Sequence, residues 1–271
     1  NLSAEDLYFG GISFLGHLDH QQRYIYATKF ARDNGSQLNE VLRVALTRLK
    51  RKDINIKATQ GKISDGGAKV LTFGISDERV ERLRESDGVF SFYKVLAQIL
   101  IFDLDQKKLI VNFPVSIQHQ EFSVDVPSND FDRKVFHKIY FNLDFPGSVF
   151  KEWVKTLETV GIKDSGVLHL KVGKVVLDAP VQEQLPKRLK KNNIFEIQTA
   201  QRFELHLASN QRVPILPYTL GGLGNKSKLV ARFVDGVSYD LSLPPSDYNI
   251  DILVREFKKT EVSTTAWDGF V

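Results

Sequence analysis

The segment from Phe92 to Ile117, FYKVLAQILIFDLDQKKLIVNFPVSI, is the longest apolar stretch of the chain. It is broken once, at Leu104-Asp105-Gln106-Lys107-Lys108. In an extended chain Val95, Ala97, Ile99 and Ile101 fall on one side, and Leu96, Leu100, Phe102 and Leu104 fall mostly on the other. A strand that is apolar on both sides, with β-branched and aromatic residues, is one whose two faces are both covered, so it belongs in the middle of a sheet. The polar break followed by Leu109, Val111, Phe113 and Val115 predicts a hairpin, with Ile110 and Pro114 close to an edge or a bulge. This hairpin is expected to sit at the centre of a sheet with helices on one face.

Around it the chain gives weaker signals. Ile12 to Leu15, flanked by glycine, suits a buried strand. Ser36 is a suitable N-cap, and Leu38, Val41, Leu42, Ala45, Leu46 and Leu49 recur at helical spacing, which predicts an amphipathic helix over 37–51 with a basic end. Ile54 and Ile56, then Val70 to Ile75 beyond the turn signal Ser64-Asp65-Gly66-Gly67, predict a second hairpin. Asp77 to Arg84 reads as a short charged helix or turn, and His119 to Asp130 as polar and irregular. Phe131 to Leu143 and Phe150 to Val160 predict two further helices, separated by Phe145-Pro146-Gly147. Leu168 to Val172 reads as a strand and Val181 to Lys191 as a helix. Gln198 to Ala208 fits a helix or a strand equally. Strands are expected at Lys228 to Val234 and Val237 to Leu243 across an Asp235-Gly236 turn, then at Ile250 to Phe257 and Val262 to Trp267.

Both halves run strand, helix, then further strands. That order predicts an α+β fold with mixed, largely antiparallel sheets and helices on one face, rather than an alternating doubly wound fold. The expected divisions are an N-terminal α/β domain over 1–128, a helical seam over 129–165 and a β-rich C-terminal domain over 166–271.

Bulk properties narrow the function. Hydrophobic residues make up 42% and charged residues 26% of the 271, ordinary values for a globular protein. Lys94, Asp103 and Asp105 interrupt the best apolar run well short of the roughly 20 residues a membrane-spanning helix needs. The net charge of +4 and a pI near 9.0 are too mild and too dispersed to indicate nucleic-acid binding. With no cysteine, thiolate metal sites and cysteine nucleophiles are ruled out. The first residue is not methionine, and removal of a signal peptide is one route to such a start, which goes with a periplasmic or secreted setting.

Chemistry-bearing patterns are few. His17-x-Asp19-His20 is the one place where two imidazoles and a carboxylate lie close in sequence, which makes it the candidate metal site, although the default for such spacing is a solvated loop. Gly221-Gly222-Leu223-Gly224-Asn225-Lys226-Ser227 resembles a phosphate-binding loop only superficially. Asn225 stands between glycine and lysine, and a strand follows rather than a helix. The basic clusters Lys50-Arg51-Lys52 and Lys187 to Lys191 sit at expected helix ends, where cations are favoured without a ligand. His119, His137, His169 and His206 occur singly, and neither a nucleophile elbow nor an H-E-x-x-H pattern is present. No catalytic residue and no cofactor are nominated.

The opening strand Gly11-Ile12-Ser13-Phe14-Leu15, the helix Gln37 to Lys50 and the paired strands Leu96 to Leu104 and Leu109 to Ile117 together resemble, in element order, the α/β domains of bacterial envelope assembly proteins of the curli-secretion and flagellar-accessory kind. The resemblance covers roughly residues 8 to 120 and implies an extracytoplasmic bacterial protein that works through protein partners, with peripheral association to the envelope. The expected function is therefore a non-enzymatic envelope or secreted protein acting by protein contacts. The alternatives are a metal-dependent hydrolase centred on His17, Asp19 and His20, and a carrier with a small-molecule or lipid pocket between helices and sheet.

Overall fold

The computed structural model describes residues 4–16, 23–57, 67–162, 168–190, 193–211, 213–218, 228–258, 260–261 and 267–268. The fold is α+β. At its centre is the expected hairpin, β4 (Val89–Asp103) and β5 (Lys108–Ser123), paired along their whole length. The register skips between Ile101 and Phe102, so Ile110 is the extra residue of a bulge. The bulge reverses which side chains face which way. Val111, Phe113 and Val115 face the helices together with Ile99 and Ile101, whereas Leu109 turns to the opposite face with Phe102.

The strand before the hairpin, β3 (Lys69–Arg84), is antiparallel to β4 from end to end. Asp77 to Arg84, read from sequence as a helix or turn, is thus the second half of this long strand. A bulge at Ser76 explains the misleading pattern by shifting the apolar period midway.

The first strand, β1 (Glu5–Leu15), leads through α1 (Ile25–Leu46) to β2 (Ile54–Lys57), which lies parallel to β1. The expected hairpin between residues 54–57 and 70–75 does not form, because β1 inserts between β2 and β3 and runs parallel to both. A helix crossover of this kind is what joins parallel strands. Helix α1 also differs from its predicted span. It starts at Ile25, breaks at Asn34 (φ −148°, ψ 43°) next to Gly35, and ends at Leu46 instead of 51. The basic residues beyond it serve another helix: the Arg51 guanidinium donates to the carbonyls of Leu157 (2.8 Å) and Val160 (2.7 Å).

Downstream strands complete the sheet. β8 (Lys228–Phe233) pairs with residues 13–15 of β1, and β9 (Ser238–Ser242) pairs with β8 and, through Ser242, with Lys108 of β5. Strands β1, β3, β4, β5, β9 and β8 therefore close into a barrel filled by Leu15, Val70, Leu100, Phe102, Leu109, Phe233 and Leu241. Gly74 sits inside it because a Cβ there would meet Leu15 at 2.7 Å.

The outer face carries the larger core. Helix α2 (Asn129–Phe141), capped by Ser128 Oγ on the Phe131 N–H (3.3 Å), and α3 (Val149–Leu157) pack with α1 over β3, β4 and β5. Trp153 and Phe150 of α3 meet Phe73 edge-on at 5.8 and 5.1 Å.

The remaining residues form a smaller layer. β6 (Leu170–Leu177) is flanked by two parallel neighbours, β7 (Ile215–Leu216) and β10 (Tyr248–Val254). The expected helix over 181–191 is two short ones, α4 (Ala179–Gln184) and α5 (Lys187–Lys190), separated at Leu185-Pro186 because proline cannot continue the hydrogen-bond ladder. The segment that sequence left undecided is helix, α6 (Ile194–Gln211). The short pair β11 (Thr260–Glu261) and β12 (Trp267–Asp268) follows. No helix among the described residues is long and apolar enough to cross a membrane.

Candidate docking edge and polar belt

His17, Asp19 and His20 lie outside the described residues, as does the glycine-rich segment 221–227. Among the described residues no group of three or more histidines or carboxylates is placed to hold a metal ion. The single histidines are separate: His119 Nε2 is 2.8 Å from Glu121, His137 stacks on Phe141 at 4.5 Å, and His169 Nδ1 is 3.7 Å from Asp247. His206 lines a cleft described below.

The chemistry that the structure does gather lies along the far halves of β3, β4 and β5, beyond the barrel. The bulge at Ser76 sends Glu78, Val80 and Arg82 to the helix-covered face and leaves Asp77, Arg79 and Glu81 on the other. Glu78 accepts from the backbone N–H groups of Tyr26 (2.8 Å) and Ala27 (3.0 Å) and from the Tyr140 hydroxyl (2.8 Å), so a carboxylate from β3 caps the start of α1. Burial pushes this carboxyl up to about 7 against the pull of its three donors. Asp77 is held between Arg23 (3.3 Å) and Arg79, and burial moves its carboxyl above the usual range despite both arginines. Further along, Asp132 of α2 accepts two bonds from Arg82 (2.8 and 2.6 Å) and one from the Tyr93 hydroxyl (2.8 Å). Burial first, and Asp132 second, raise that phenol. Lys94 pairs with Glu81 at 2.5 Å across the strands. Nearly every charge has an opposite partner, the arrangement expected of a structural lattice. Sequence reading missed Glu78, Asp132 and Arg82. The one available signal was the mixing of acidic and basic residues around Val80 through 77–82, which fits a strand whose charges are paired.

The same region ends in an open edge. Pro114 lies opposite Gln98 in the β4–β5 ladder. Having no N–H, it occupies an outward-facing position, and with period two so do the backbone groups of Ser116, Gln118, Gln120 and Phe122. Among the described residues none of these four has a backbone partner outside the hairpin. At its inner end the edge enters a cleft of about 410 Å³ between α3 and α6, walled by Glu152, Lys155, Thr156, Leu205 and His206. At its outer end lie exposed apolar side chains: Phe122, which rests on Phe90 at 5.0 Å, with Leu83, Val124 and Val126.

A second buried charge pair lies away from this edge. Glu204 of α6 and Lys171 of β6 are both buried and attract each other. Burial raises the carboxyl well above its usual range and lowers the ammonium, and the Tyr218 backbone N–H donates to Glu204. The pair ties helix α6 to strand β6.

No family model matches the chain, and no curated protein sequence matches it. Structural similarity is limited. A minor lipoprotein from Acinetobacter baumannii aligns with a TM-score of 0.32 at 11% identity, over 58% of this chain and 90% of its own. A hypothetical protein from Chlamydia trachomatis aligns at 0.32 and 12%, over 57% and 96%. A neuraminyllactose-binding hemagglutinin homolog from Helicobacter pylori gives 0.28 and 10%, over 57% and 86%. Scores this low lie below those of chains that share a fold.

Proposed function

We propose that this protein is a non-enzymatic component of the bacterial envelope or its exterior that binds a protein partner as an added strand on β5. The observation that carries the reading is the unpaired edge from Ser116 to Phe122. A row of unused backbone donors and acceptors is a template for an extended segment, and the side-chain pockets beside it supply selectivity. The cleft at one end and the exposed Phe122 and Val124 at the other offer contacts on either side of the added strand. The envelope setting rests on the resemblance in element order to envelope assembly domains.

The test uses Gln118→Pro. Gln118 faces its N–H away from β4, so proline there leaves the hairpin ladder intact while removing a donor from the edge, as Pro114 already does four residues earlier. Affinity capture from a bacterial envelope extract is expected to recover a discrete partner with the wild-type chain and to lose it with a folded Gln118→Pro variant. Equal recovery by both, or nothing specific with the wild type, removes the proposal.

A further inference from the structure

Four arginines among the described residues are half-buried: Arg23, Arg51, Arg79 and Arg232. The first three each touch an aspartate, Asp77, Asp53 and Asp77 in turn. Arg232 has no carboxylate partner among the described residues. Its guanidinium donates once, to the Tyr24 hydroxyl at 2.8 Å, and that hydroxyl in turn donates a hydrogen bond to the Leu15 carbonyl at 3.1 Å. The Nε of Arg232 is fully buried with no acceptor. A half-buried guanidinium with a buried, unpaired Nε and no counter-charge is incompletely hydrated, and an anion beside it would offset that cost.

A cavity of about 230 Å³ lies against this group, lined by Phe14, Tyr24, Thr28, Arg232, Phe233 and Ser238. The backbone of Arg232 is fixed on both sides, paired with Phe14 of β1 and Ser238 of β9, so the guanidinium is held on a rigid frame. Of the hydroxyls that line it, those of Thr28 and Tyr24 already donate to backbone carbonyls, which leaves Ser238 as the one hydroxyl free to donate to an anion, and the two phenylalanine rings form apolar walls. The Thr28 hydroxyl donates to the Tyr24 carbonyl at 2.8 Å, which leaves its oxygen as an acceptor only. The nearest carboxylate by sequence, Asp235, is exposed in the β8–β9 turn and accepts from the Val237 N–H at 3.0 Å.

We propose that this cavity binds a small organic carboxylate, with its anionic group on Arg232 and its apolar body between Phe14 and Phe233. One cation lines the space and no lysine does, so its charge is matched by a monoanion. A planar carboxylate suits the guanidinium fork, whereas a phosphate dianion would leave charge unmatched. The carboxylate can come from a free acid or from the last residue of a peptide, and both present the same group to Arg232.

Titration of the whole chain by calorimetry and by amide chemical shifts tests this with four probes: phenylacetate, N-acetylphenylalanine as the chain-end mimic, neutral phenylacetamide and inorganic phosphate. Phenylacetate is expected to bind at least about tenfold more tightly than phenylacetamide and phosphate, a difference of about 1.4 kcal/mol. Its shifts should centre on residues 14, 28, 232 and 238. N-acetylphenylalanine binding more tightly than phenylacetate assigns the site to chain ends, and the reverse assigns it to free acids. Arg232→Gln should lower phenylacetate affinity about tenfold or more. Should that variant fail to fold, Ser238→Ala serves instead, with an expected loss of a few-fold. Equal binding of acid and amide, unchanged affinity in a folded variant, or no carboxylate binding at all overturns the proposal.

Discussion

Strands β3, β4 and β5 build two unlike regions from one continuous set of ladders. In the barrel half, roughly residues 69–76, 95–103 and 108–117, both faces are covered and both side-chain parities are apolar. In the projecting half, residues 77–84, 89–94 and 118–123, only one face meets a helix, and charged side chains are paired on both faces, Arg82 with Asp132 beneath the helices and Lys94 with Glu81 on the open side. The bulge at Ser76 lies at the boundary and resets the parity of β3, whereas the one at Ile110 lies within the barrel half, near the hairpin turn. Closure removes the edge of β5 where it meets β9 at Lys108, while β5 from Ser116 onward keeps one free. Apolar filling is thus used where the protein must hold together, and a polar lattice where it must stay presentable to water and to a partner.

The sharpest way to break this comparison is to empty the barrel. Phe102 is fully buried and packs near Phe233 (6.3 Å) and Tyr239 (6.0 Å). Phe102→Ala is expected to cost about 3–5 kcal/mol, read as a lowered urea midpoint. A cost near that of a surface substitution would show that the interior tolerates voids and that the barrel is not the stabilising half.

The sequence made the two halves unequally legible, for physical reasons. The barrel hairpin announces itself because apolar residues covered on both faces leave a pattern that needs no partner to interpret. Ile110 and Pro114 were placed correctly for the same reason: Ile110 breaks the period and Pro114 cannot donate. The projecting half misled. Asp77 to Arg84 looks like a solvated turn until Lys94, Asp132 and Arg23 are seen opposite, and those matches are set by pairing across 13 to 54 residues. The first turns of α1 were invisible for a related reason, since their cap is the Glu78 carboxylate, about 50 residues downstream, and no local capping residue marks the start. The candidate edge follows from Pro114 once pairing is known. The Arg232 cavity, assembled from β1, α1, β8 and β9, left no mark in the sequence.

The polar lattice should yield a smaller but definite loss. Asp132 is almost wholly buried and satisfies both Arg82 and Tyr93. Asp132→Asn keeps its shape but removes the charge and presents a donor to Arg82, at an expected cost of about 2–3 kcal/mol by urea midpoint. Arg82 remains partly exposed and can turn to water, which keeps the loss below that of emptying the barrel. If Asp132→Asn proves as costly as Phe102→Ala, the lattice is a second core and the division drawn above is wrong.

The smallest expected effect is also the most specific to the lattice. Glu78 titrates near 7 in the folded protein and near 4.5 when unfolded, so the folded state holds the extra proton between those values. The contribution to stability is fully present below pH 4.5, declines as pH rises through the window and is gone above about 7. Asp77, raised by burial as well, contributes in the same sense. Glu78→Gln retains an oxygen for the Tyr26 or Ala27 N–H and cannot ionise, so its urea midpoint should change less between pH 5 and pH 8 than that of the wild type. The difference should be about 1 kcal/mol, below the full linkage value because Glu78 is only half-buried. Parallel profiles would mean that the helix terminus and the Tyr140 hydroxyl stabilise the carboxylate enough to cancel burial. The projecting half would then owe its order to a charged cap, held ionised throughout this range by the α1 amides.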